Sequence, residues 1–394
     1  MRSVDDAERR ARAILSGVCE PGDLDAAQLV RDHSATELVA RLAGWSSGKL
    51  FASRFSSSSS SSSSKVSVWA ERLASLDEIA HTRRIEAVRA RYLCPGDEHW
   101  PQSLDDLRRL TDGSADRRSD APFGLWTRGE GSDALLTGGA VAIVGSRSST
   151  AYGDHVAGEL AFGCGAKGFV PISGGAYGID AAAHRGALAR EGPTVAVLAG
   201  GVDRLYPTGN SALLSQVCRN GLVVSEAAPG CTPTKYRFLV RNRLIAALSA
   251  GTVVVEAAVR SGSLNTARWA RDLGRGVMGV PGPVTSMRSA GVHELLRQPE
   301  TLLVTDAQEV VEHISPVGRG LAPRRQEPAT WRDGLTRSTQ AVLDAVPVMA
   351  AAPAVSIARV AGEPHDVVVE ALSLLTTLGA IIDDGHRWRL ARPS

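Results

Sequence analysis

The chain has 394 residues, of which 43% are apolar and 22% are charged, and its net charge is +2. This length predicts two or three folded units, and the composition excludes collagen-like, mucin-like and wholly disordered chains. Such a small net charge does not by itself indicate a nucleic-acid-binding protein. Four of the 44 basic residues are lysines and the rest are arginines, so a lone arginine is weak evidence for function.

The N-terminal part of the chain reads as short amphipathic helices. Apolar residues recur every three or four positions in DDAERRARAILSGV, DLDAAQLVRDH and ATELVARLAGW, which predicts an N-terminal helical domain over residues 1–55. Nine consecutive serines, Ser56 to Ser64, then predict a flexible linker or a stretch whose true sequence was not determined. Residues 65–137 form an extension with one predicted helix, VWAERLASLDEIAHTRRIEAVRARYL.

Residues 138–314 alternate short apolar runs with helical patterns. The runs VAIVG, FVPIS, TVAVLAG, LVVSE, TVVVEA, GVMGVPG and TLLVT are predicted strands, and the stretches between them are predicted helices. Continuously apolar strands that alternate with helices are typical of a parallel sheet covered on both faces. The fold class is therefore α/β, with a Rossmann-like doubly wound parallel sheet.

The C-terminal part is predicted to be a separate winged-helix domain. Residues 315–334 are rich in Pro, Gly and Arg and read as a linker, and residues 335–394 read as three helices and a short hairpin. The third helical stretch, residues 366–379, contains no Lys or Arg. A DNA-reading helix normally carries basic residues, so a protein-contact or regulatory role is favoured.

A glycine pattern between Gly163 and Gly168 matches G-x-G-x-x-G but does not predict a dinucleotide site. The fingerprint needs a strand before the glycines and a helix after them, whereas here a helix precedes and a strand follows. These glycines are predicted to end a helix, and no cofactor is expected.

Two loops that follow predicted strands are candidate phosphate sites. Gly145, Ser146 and Arg147 leave the first strand just before a helix, where backbone N–H groups and a guanidinium favour an anion. The glycines in the next loop, Ser173-Gly174-Gly175, would let a ligand approach the backbone. The alternatives for both loops are a capped helix start and a tight turn.

Two residues of the helix after the second loop carry a different expectation. Asp180 is expected to begin that helix rather than act as an acid. His184 is expected to be a packed or capping side chain rather than a base.

Basic and aromatic residues alternate in the segment TKYRFLVRNR. Between Glu226 and Glu256 there is no acidic residue, while basic residues cluster and Tyr236 and Phe238 lie among them. Aromatic faces beside cations suit the stacking of an unpaired base. The predicted contacts from this segment are Lys235, Phe238, Arg241, Asn242 and Arg243, and the alternative is a solvated helix face with core aromatics.

The segment that leaves the fifth strand is a second candidate phosphate cradle. It begins at Glu256, and Ser261, Gly262 and Ser263 precede a predicted helix. The alternative is a plain serine N-cap. No Walker motif, nucleophile elbow or metal-ligand cluster is recognisable, so the candidate sites are predicted to bind without performing chemistry.

Several expectations concern the environment of the protein. Its five cysteines are odd in number and form no CxxC pair, which favours a reducing compartment and no zinc site. The charged first residues lack the apolar stretch of a signal peptide, and no apolar run is long enough for a membrane span. A cytoplasmic protein without a membrane partner is therefore expected.

Eight ordered blocks resemble one known family. VAIVGSR, SGGAYGIDAAAH, VLAGGVDRLYP, VVSE, RNRLIAALS, VVVEA, RSGSLNTARWA and VPGP are similar to the DNA processing protein DprA (Smf) family over residues 85–315. The N-terminal helices, as a SAM-like or helix-hairpin-helix-like domain, and the winged helix also fit that family. Arg147 matches the family's phosphate-binding arginine, and Lys235 and Phe238 match its basic and aromatic contacts. Tyr177 stands where many relatives carry a basic residue.

The resemblance implies a non-enzymatic protein that binds single-stranded DNA. Such proteins act in natural transformation and recombination, protect incoming DNA, accommodate single-strand-binding protein, load the RecA recombinase and form homodimers. One alternative is a nucleotide-binding or nucleotide-hydrolysing enzyme of the related lysine-decarboxylase-like phosphoribohydrolases, which need a PGGxGT segment where this chain has RSGSLNT. The others are a nicotinamide-dependent dehydrogenase and a scaffolding relative that no longer binds DNA.

Overall fold

The computed structural model describes residues 4–46, 60–111, 120–321 and 330–391. The chain divides into two compact units, residues 1–322 and residues 323–394. Among the described residues, no helix is both long enough and apolar enough to cross a membrane.

The first unit begins with helices α1 (Asp6–Val18), α2 (Leu24–His33) and α3 (Ala35–Ser46), which coincide with the three predicted amphipathic stretches. Asp5 and Asp23 cap α1 and α2 by accepting hydrogen bonds from N–H groups of the first turns. The apolar faces meet in one cluster that includes Leu15, Leu38 and Leu42. The apolar residues that recur every three or four positions in the sequence are thus the ones that these helices bury.

The next segment differs from the prediction in two ways. Helix α4 (Ser60–Ala74) begins inside the serine run. The apolar residues that follow the serines, Val66 and Trp69, pack into the N-terminal cluster and stabilise this helix. The rest of the predicted linker, Ser56 to Ser59, lies outside the described residues. The single helix predicted after residue 65 is wrong, since Asp77 caps a second helix, α5 (Glu78–Ala87), through the Ala80 N–H at 3.0 Å.

A nine-stranded sheet forms the centre of the first unit, in the order β1-β2-β6-β5-β4-β3-β7-β8-β9. The seven predicted strands are present and pair in parallel as β3 (Ala140–Val144), β4 (Val170–Ser173), β5 (Val195–Val197), β6 (Leu222–Ser225), β7 (Gly251–Val254), β8 (Gly276–Gly279) and β9 (Thr301–Leu303). Two strands that the sequence did not indicate, β1 (Arg91–Leu93) and β2 (Leu125–Arg128), extend one edge in antiparallel pairing.

Helices cover both faces of the sheet, and apolar clusters fill the two layers. These helices are α6 (Asp106–Thr111), α7 (Ala151–Ala166), α8 (Ile179–Ala189), α9 (Ser211–Asn220), α10 (Lys235–Ala247), α11 (Ser263–Asp272), α12 (Met287–Leu296) and α13 (Ala307–Ile314). The Gly163–Gly168 segment ends α7, where the Phe169 N–H donates to the Cys164 carbonyl at 3.1 Å, as predicted.

The strand order locates the candidate site. Strand β3 lies between β4 and β7, so the chain runs outward on one side through β4, β5 and β6 and on the other through β7, β8 and β9. The carboxyl ends of β3 and β7 therefore flank the point at which the strand order reverses. Doubly wound sheets bind ligands in the crevice at this position.

The second unit contains α14 (Arg337–Ala345), β10 (Ala352–Pro353), α15 (Ala354–Ala361), α16 (His365–Thr377), β11 (Ile381–Asp383) and β12 (Arg387–Leu390). Its strands form an antiparallel sheet in the order β10-β12-β11. Ile357, Leu372 and Leu375 lie in its core. The elements follow the predicted order, while the winged-helix assignment and its protein-contact role stay predictions.

Candidate nucleic-acid interface

A cleft of about 400 Å³ opens where β3 and β7 end. Three segments form most of its wall: the loop after β3, the first half of α10, and the loop that joins β7 to α11. Of the predicted site residues, the wall contains Gly145, Ser146, Arg147, Phe238, Arg241, Asn242, Ser261, Gly262 and Ser263. The topology thus brings together residues that are more than a hundred positions apart in the sequence.

The loop after β3 is held from below by Glu256. The Glu256 carboxylate accepts hydrogen bonds from the Thr150 N–H at 2.9 Å and the Thr150 hydroxyl at 2.6 Å, and its carbonyl accepts one from the Ser146 N–H at 2.7 Å. Glu256 is buried, so the predicted DNA contact is wrong for this residue. A carboxylate here would also repel a phosphate, and its role is to shape the loop.

Gly178 supports the same loop from the start of α8. Its φ is +74°, and a Cβ at this position would collide with the carbonyl oxygen of Ser146. The adjacent Ile179 N–H donates to that carbonyl at 3.2 Å. Glycine is required here because the backbone approaches closely, which fixes the direction in which Arg147 leaves the loop.

The predicted loop Ser173-Gly174-Gly175 is buried and does not line the cleft, so this prediction is corrected. The Ser173 hydroxyl donates to the Ile143 carbonyl at 2.7 Å. A Cβ on Gly174 would collide with the Arg241 guanidinium, so this glycine leaves room for an arginine rather than for a ligand. The glycines correctly indicated that another group approaches the backbone closely, but at Gly174 that group is the buried Arg241 side chain and not a ligand.

Arg241 and Asp180 form the floor of the cleft. Arg241 donates to the Gly174 carbonyl at 2.7 Å and to the Val197 carbonyl, and the charges of Asp180 and Arg147 act on its pKa in opposite directions. Burial lowers the pKa of Arg241 to about 10, which leaves it charged at neutral pH. Burial raises the pKa of Asp180, whose carboxylate accepts the Gly174 N–H at 3.1 Å, as suits the predicted structural role.

Phe238 presents an aromatic ring inside the cleft. The ring is half-buried, and the Arg147 guanidinium lies over it at 4.7 Å from the ring centroid. The Arg241 guanidinium is 5.8 Å from the same centroid, and the Tyr206 ring centroid is at 6.0 Å. An aromatic ring close to two guanidinium groups combines a stacking surface with cations, the two features that favour binding of single-stranded nucleic acid.

The loop after β7 forms the opposite wall. The Asn242 side chain donates to the Gly262 carbonyl at 3.1 Å and so ties this loop to α10. The Ser261 and Ser263 hydroxyls are 2.8 Å apart at the start of α11. Arg260 is exposed at the rim and was missed by the sequence reasoning, because single arginines carry little weight in so arginine-rich a chain.

Not every basic or aromatic residue of α10 faces the cleft. Arg243 is fully buried and donates to both oxygens of Glu226, at 2.8 and 2.9 Å, so the predicted DNA contact is wrong for this residue. Tyr236 points away from the cleft, and its hydroxyl is 3.5 Å from the Pro21 carbonyl. Lys235 is exposed in the first turn of α10, outside the cleft wall.

Two titratable residues singled out in the sequence, His184 and Tyr177, lie outside the cleft wall. His184 is fully buried, its Nδ1 lies 2.9 Å from the Thr194 hydroxyl, and burial lowers its pKa to about 3, which agrees with the predicted packing role. Tyr177 is exposed outside the cleft wall, and its hydroxyl accepts the Gly209 N–H at 3.2 Å. Within the described residues, no three His, Cys, Asp or Glu side chains converge as a metal site requires.

Comparison with known proteins identifies the family. The family model described as DNA recombination-mediator protein A matches residues 91–315, which include both walls of the cleft. This chain belongs to the DprA family. The resemblance predicted from the eight sequence blocks is confirmed.

Relatives extend the similarity beyond the matched segment. A DNA processing protein DprA of Mycobacterium tuberculosis is 39% identical over 388 residues, which cover 98% of this chain and 95% of the relative. The DprA of Streptococcus pneumoniae is 41% identical over 192 residues, which cover 49% of this chain and 67% of the relative. The X-ray structure of DprA from S. pneumoniae aligns with a TM-score of 0.61 at 29% identity and covers 79% of this chain and 98% of that chain.

Proposed function

We propose that this DprA-family protein binds single-stranded DNA in the cleft between β3 and β7. The observation that carries the proposal is that the Phe238 ring lies close to both the Arg147 and the Arg241 guanidinium groups, with Arg260 in the same cleft wall. Phosphates bind the exposed arginines and Lys235, and an unpaired base stacks on Phe238. Because every base has an aromatic face, such binding is sequence-tolerant.

The dimensions of the cleft favour a single strand over a duplex. A volume of about 400 Å³ admits one or two nucleotides, whereas the bases of a duplex are stacked on each other and cannot reach a half-buried ring. The carboxylate in the described part of the cleft wall, Asp180, is buried and held by backbone N–H groups. It therefore does not repel a strand that follows the rim.

The wider role that we propose rests on family membership. The protein protects incoming single strands during natural transformation and recombination and loads RecA onto them, with single-strand-binding protein as a further partner and a homodimer as the working form. We also propose that it is not an enzyme. His184 is fully buried and outside the cleft wall, so it is not placed to act as a base on a bound ligand.

The test of DNA binding is fluorescence anisotropy with a labelled dT oligonucleotide and a duplex of the same length. We expect the wild-type protein to bind the single strand at least tenfold more tightly and to release it when salt is raised. Arg147→Gln should weaken binding, and Arg268→Gln, which changes an exposed arginine outside the cleft wall, should not. Equal and weak binding to both DNAs, unaffected by Arg147→Gln, contradicts the proposal.

The wider role requires separate assays. RecA loading predicts that the protein restores the ATPase activity of RecA on single strands that are coated with single-strand-binding protein. The homodimer predicts twice the chain mass in sedimentation equilibrium. Release of a free base from nucleoside monophosphates would contradict the non-enzymatic role.

A further inference from the structure

A short loop of the N-terminal segment contacts residues in the first turn of α10 that lie outside the cleft wall. This α1–α2 loop, residues 19–23, contacts α10 through Glu20, and the Pro21 carbonyl lies 3.5 Å from the Tyr236 hydroxyl. The Gly22 N–H donates at 3.0 Å to Glu226, the carboxylate that holds Arg243. The N-terminal helices are therefore linked to the helix that carries Phe238.

The closest of these contacts engages a cation of the basic segment. Glu20 accepts from Arg237 Nε at 2.9 Å and from Arg237 Nη2 at 3.1 Å, and Arg237 Nη1 donates to the Thr232 carbonyl at 2.9 Å. All three guanidinium nitrogens thus have partners. The Arg237 side chain is only 12% exposed, so this arginine is withdrawn from solvent although its neighbour Lys235 is exposed.

The charges of the pair reinforce each other. Burial raises the pKa of Glu20, but the hydrogen bonds and charges of Arg237 and Arg72 outweigh burial and hold the pKa below its usual value. Burial lowers the pKa of Arg237, but the hydrogen bonds and charges of Glu20 and Cys231 together hold that pKa above its usual value. Glu20 is therefore ionised throughout the neutral range. Its carboxylate competes with any phosphate that approaches the Arg237 guanidinium.

We propose that Glu20 lowers the affinity of the protein for single-stranded DNA by withholding Arg237 from the DNA backbone. The inference rests on the proposed function. Arg237 lies in the same first turn of α10 as Lys235 and Phe238, and a helical turn rises only about 5.4 Å, so its long side chain is within reach of a strand that contacts those two residues. The Glu20 carboxylate and a phosphate of the DNA then compete for the Arg237 guanidinium. In this way the N-terminal segment lowers the affinity of the protein for single-stranded DNA.

The test is a double-mutant cycle measured by anisotropy with a dT oligonucleotide. Glu20→Gln keeps the side-chain shape and removes the charge, and we expect binding to tighten by about two- to fivefold, the range typical of a partly exposed ion pair. One additional phosphate contact should also make the slope of log K against log[salt] steeper by about 0.7. In an Arg237→Gln background, Glu20→Gln should change the affinity by less than about twofold, because no guanidinium remains to be released.

Asp25→Asn is the matched control. It removes one negative charge from the same N-terminal segment, but Asp25 pairs with Lys65 at 2.6 Å rather than with a residue of α10. We expect its affinity to stay within about twofold of the wild-type value. Thermal unfolding midpoints within 2–3 °C of the wild type, roughly the shift that 1 kcal/mol produces in a unit of this size, verify that each variant is folded.

The inference is overturned by any of three results: Glu20→Gln binds no more tightly than the wild type, Asp25→Asn gives the same gain, or the gain persists in the Arg237→Gln background. The last result would assign the effect to Arg72, which also pairs with Glu20 at 3.1 Å. If Arg147→Gln weakens binding while Glu20→Gln has no effect, only this inference fails. If the wild-type protein does not bind the oligonucleotide, the proposed function fails with it.

Discussion

Replacing Phe238 with leucine separates the stacking part of the interaction from the electrostatic part. Leucine keeps an apolar side chain in the half-buried position but removes the aromatic face that lies beneath Arg147. A stacked base contributes about 1–3 kcal/mol, and 1.4 kcal/mol is tenfold in an equilibrium constant, so we expect Phe238→Leu to raise Kd by about 5- to 150-fold. No phosphate contact is lost, so the slope of log K against log[salt] should stay unchanged.

Tyr236→Leu is the control for this experiment. Tyr236 is an aromatic residue of the same helical turn, but it faces the Pro21 carbonyl rather than the cleft. Titration of a labelled dT oligonucleotide at several salt concentrations gives both the affinity and the slope. The stacking argument is refuted if Phe238→Leu binds within twofold of the wild type, or if Tyr236→Leu weakens binding to the same extent.

Three further predictions concern stability. Glu226→Gln leaves Arg243 buried without its counter-charge, and we expect urea denaturation to show a loss of about 3–5 kcal/mol, whereas a loss below 1 kcal/mol would show that the pair is dispensable. Burial lowers the pKa of His184 to about 3 in the folded protein, whereas its pKa in the unfolded chain is near 6.5. The contribution of the neutral, buried His184 to the free energy of unfolding is therefore complete above pH 6.5 and is lost as the pH falls. Between pH 7 and pH 5 the wild type should lose about 2 kcal/mol more than His184→Gln, and parallel pH profiles of the two proteins would refute this. Gly178→Ala forces a strained backbone against the Ser146 carbonyl, so we expect a loss of about 1–3 kcal/mol in thermal or urea unfolding together with weaker DNA binding, and a variant with wild-type stability would contradict the steric argument.

The parallel sheet was predictable because its strands are short, continuously apolar and separated by helical patterns. The run VAIVG, for example, overlaps β3, in which every residue of Ala140–Val144 is buried. The antiparallel edge was not predictable in the same way. Strands β1 (RYL) and β2 (LWTR) each contain an arginine, so neither forms the continuous apolar run that marks the parallel strands.

The candidate site was predictable as a set of loops but not as a set of contacts. The sequence places Arg241, Asn242 and Arg243 side by side, yet successive residues of a helix point about 100° apart. Arg241 lies beneath the cleft, Asn242 reaches the facing wall, and Arg243 turns to the buried Glu226. Only the packing around α10 decides which cation is available to DNA.

Tertiary packing, which the sequence does not show, also decides the role of the two glycine positions after β4. Gly174 and Gly178 both lie after β4, and both are required by close approaches of other groups. The neighbour of Gly174 is the buried Arg241, and the neighbour of Gly178 is the backbone of the loop after β3. Sequence shows that something comes close to a glycine, and the fold shows whether that partner is a ligand.

The most direct test of the cleft as a phosphate site is the salt dependence of dT binding for the wild type and Arg147→Gln. Three phosphates held by Arg147, Lys235 and Arg260 predict a wild-type slope of log K against log[salt] of about −2, and loss of one contact should make it shallower by about 0.7. A slope near zero for the wild type, or an identical slope in Arg147→Gln, would show that the cleft between β3 and β7 does not hold the DNA backbone.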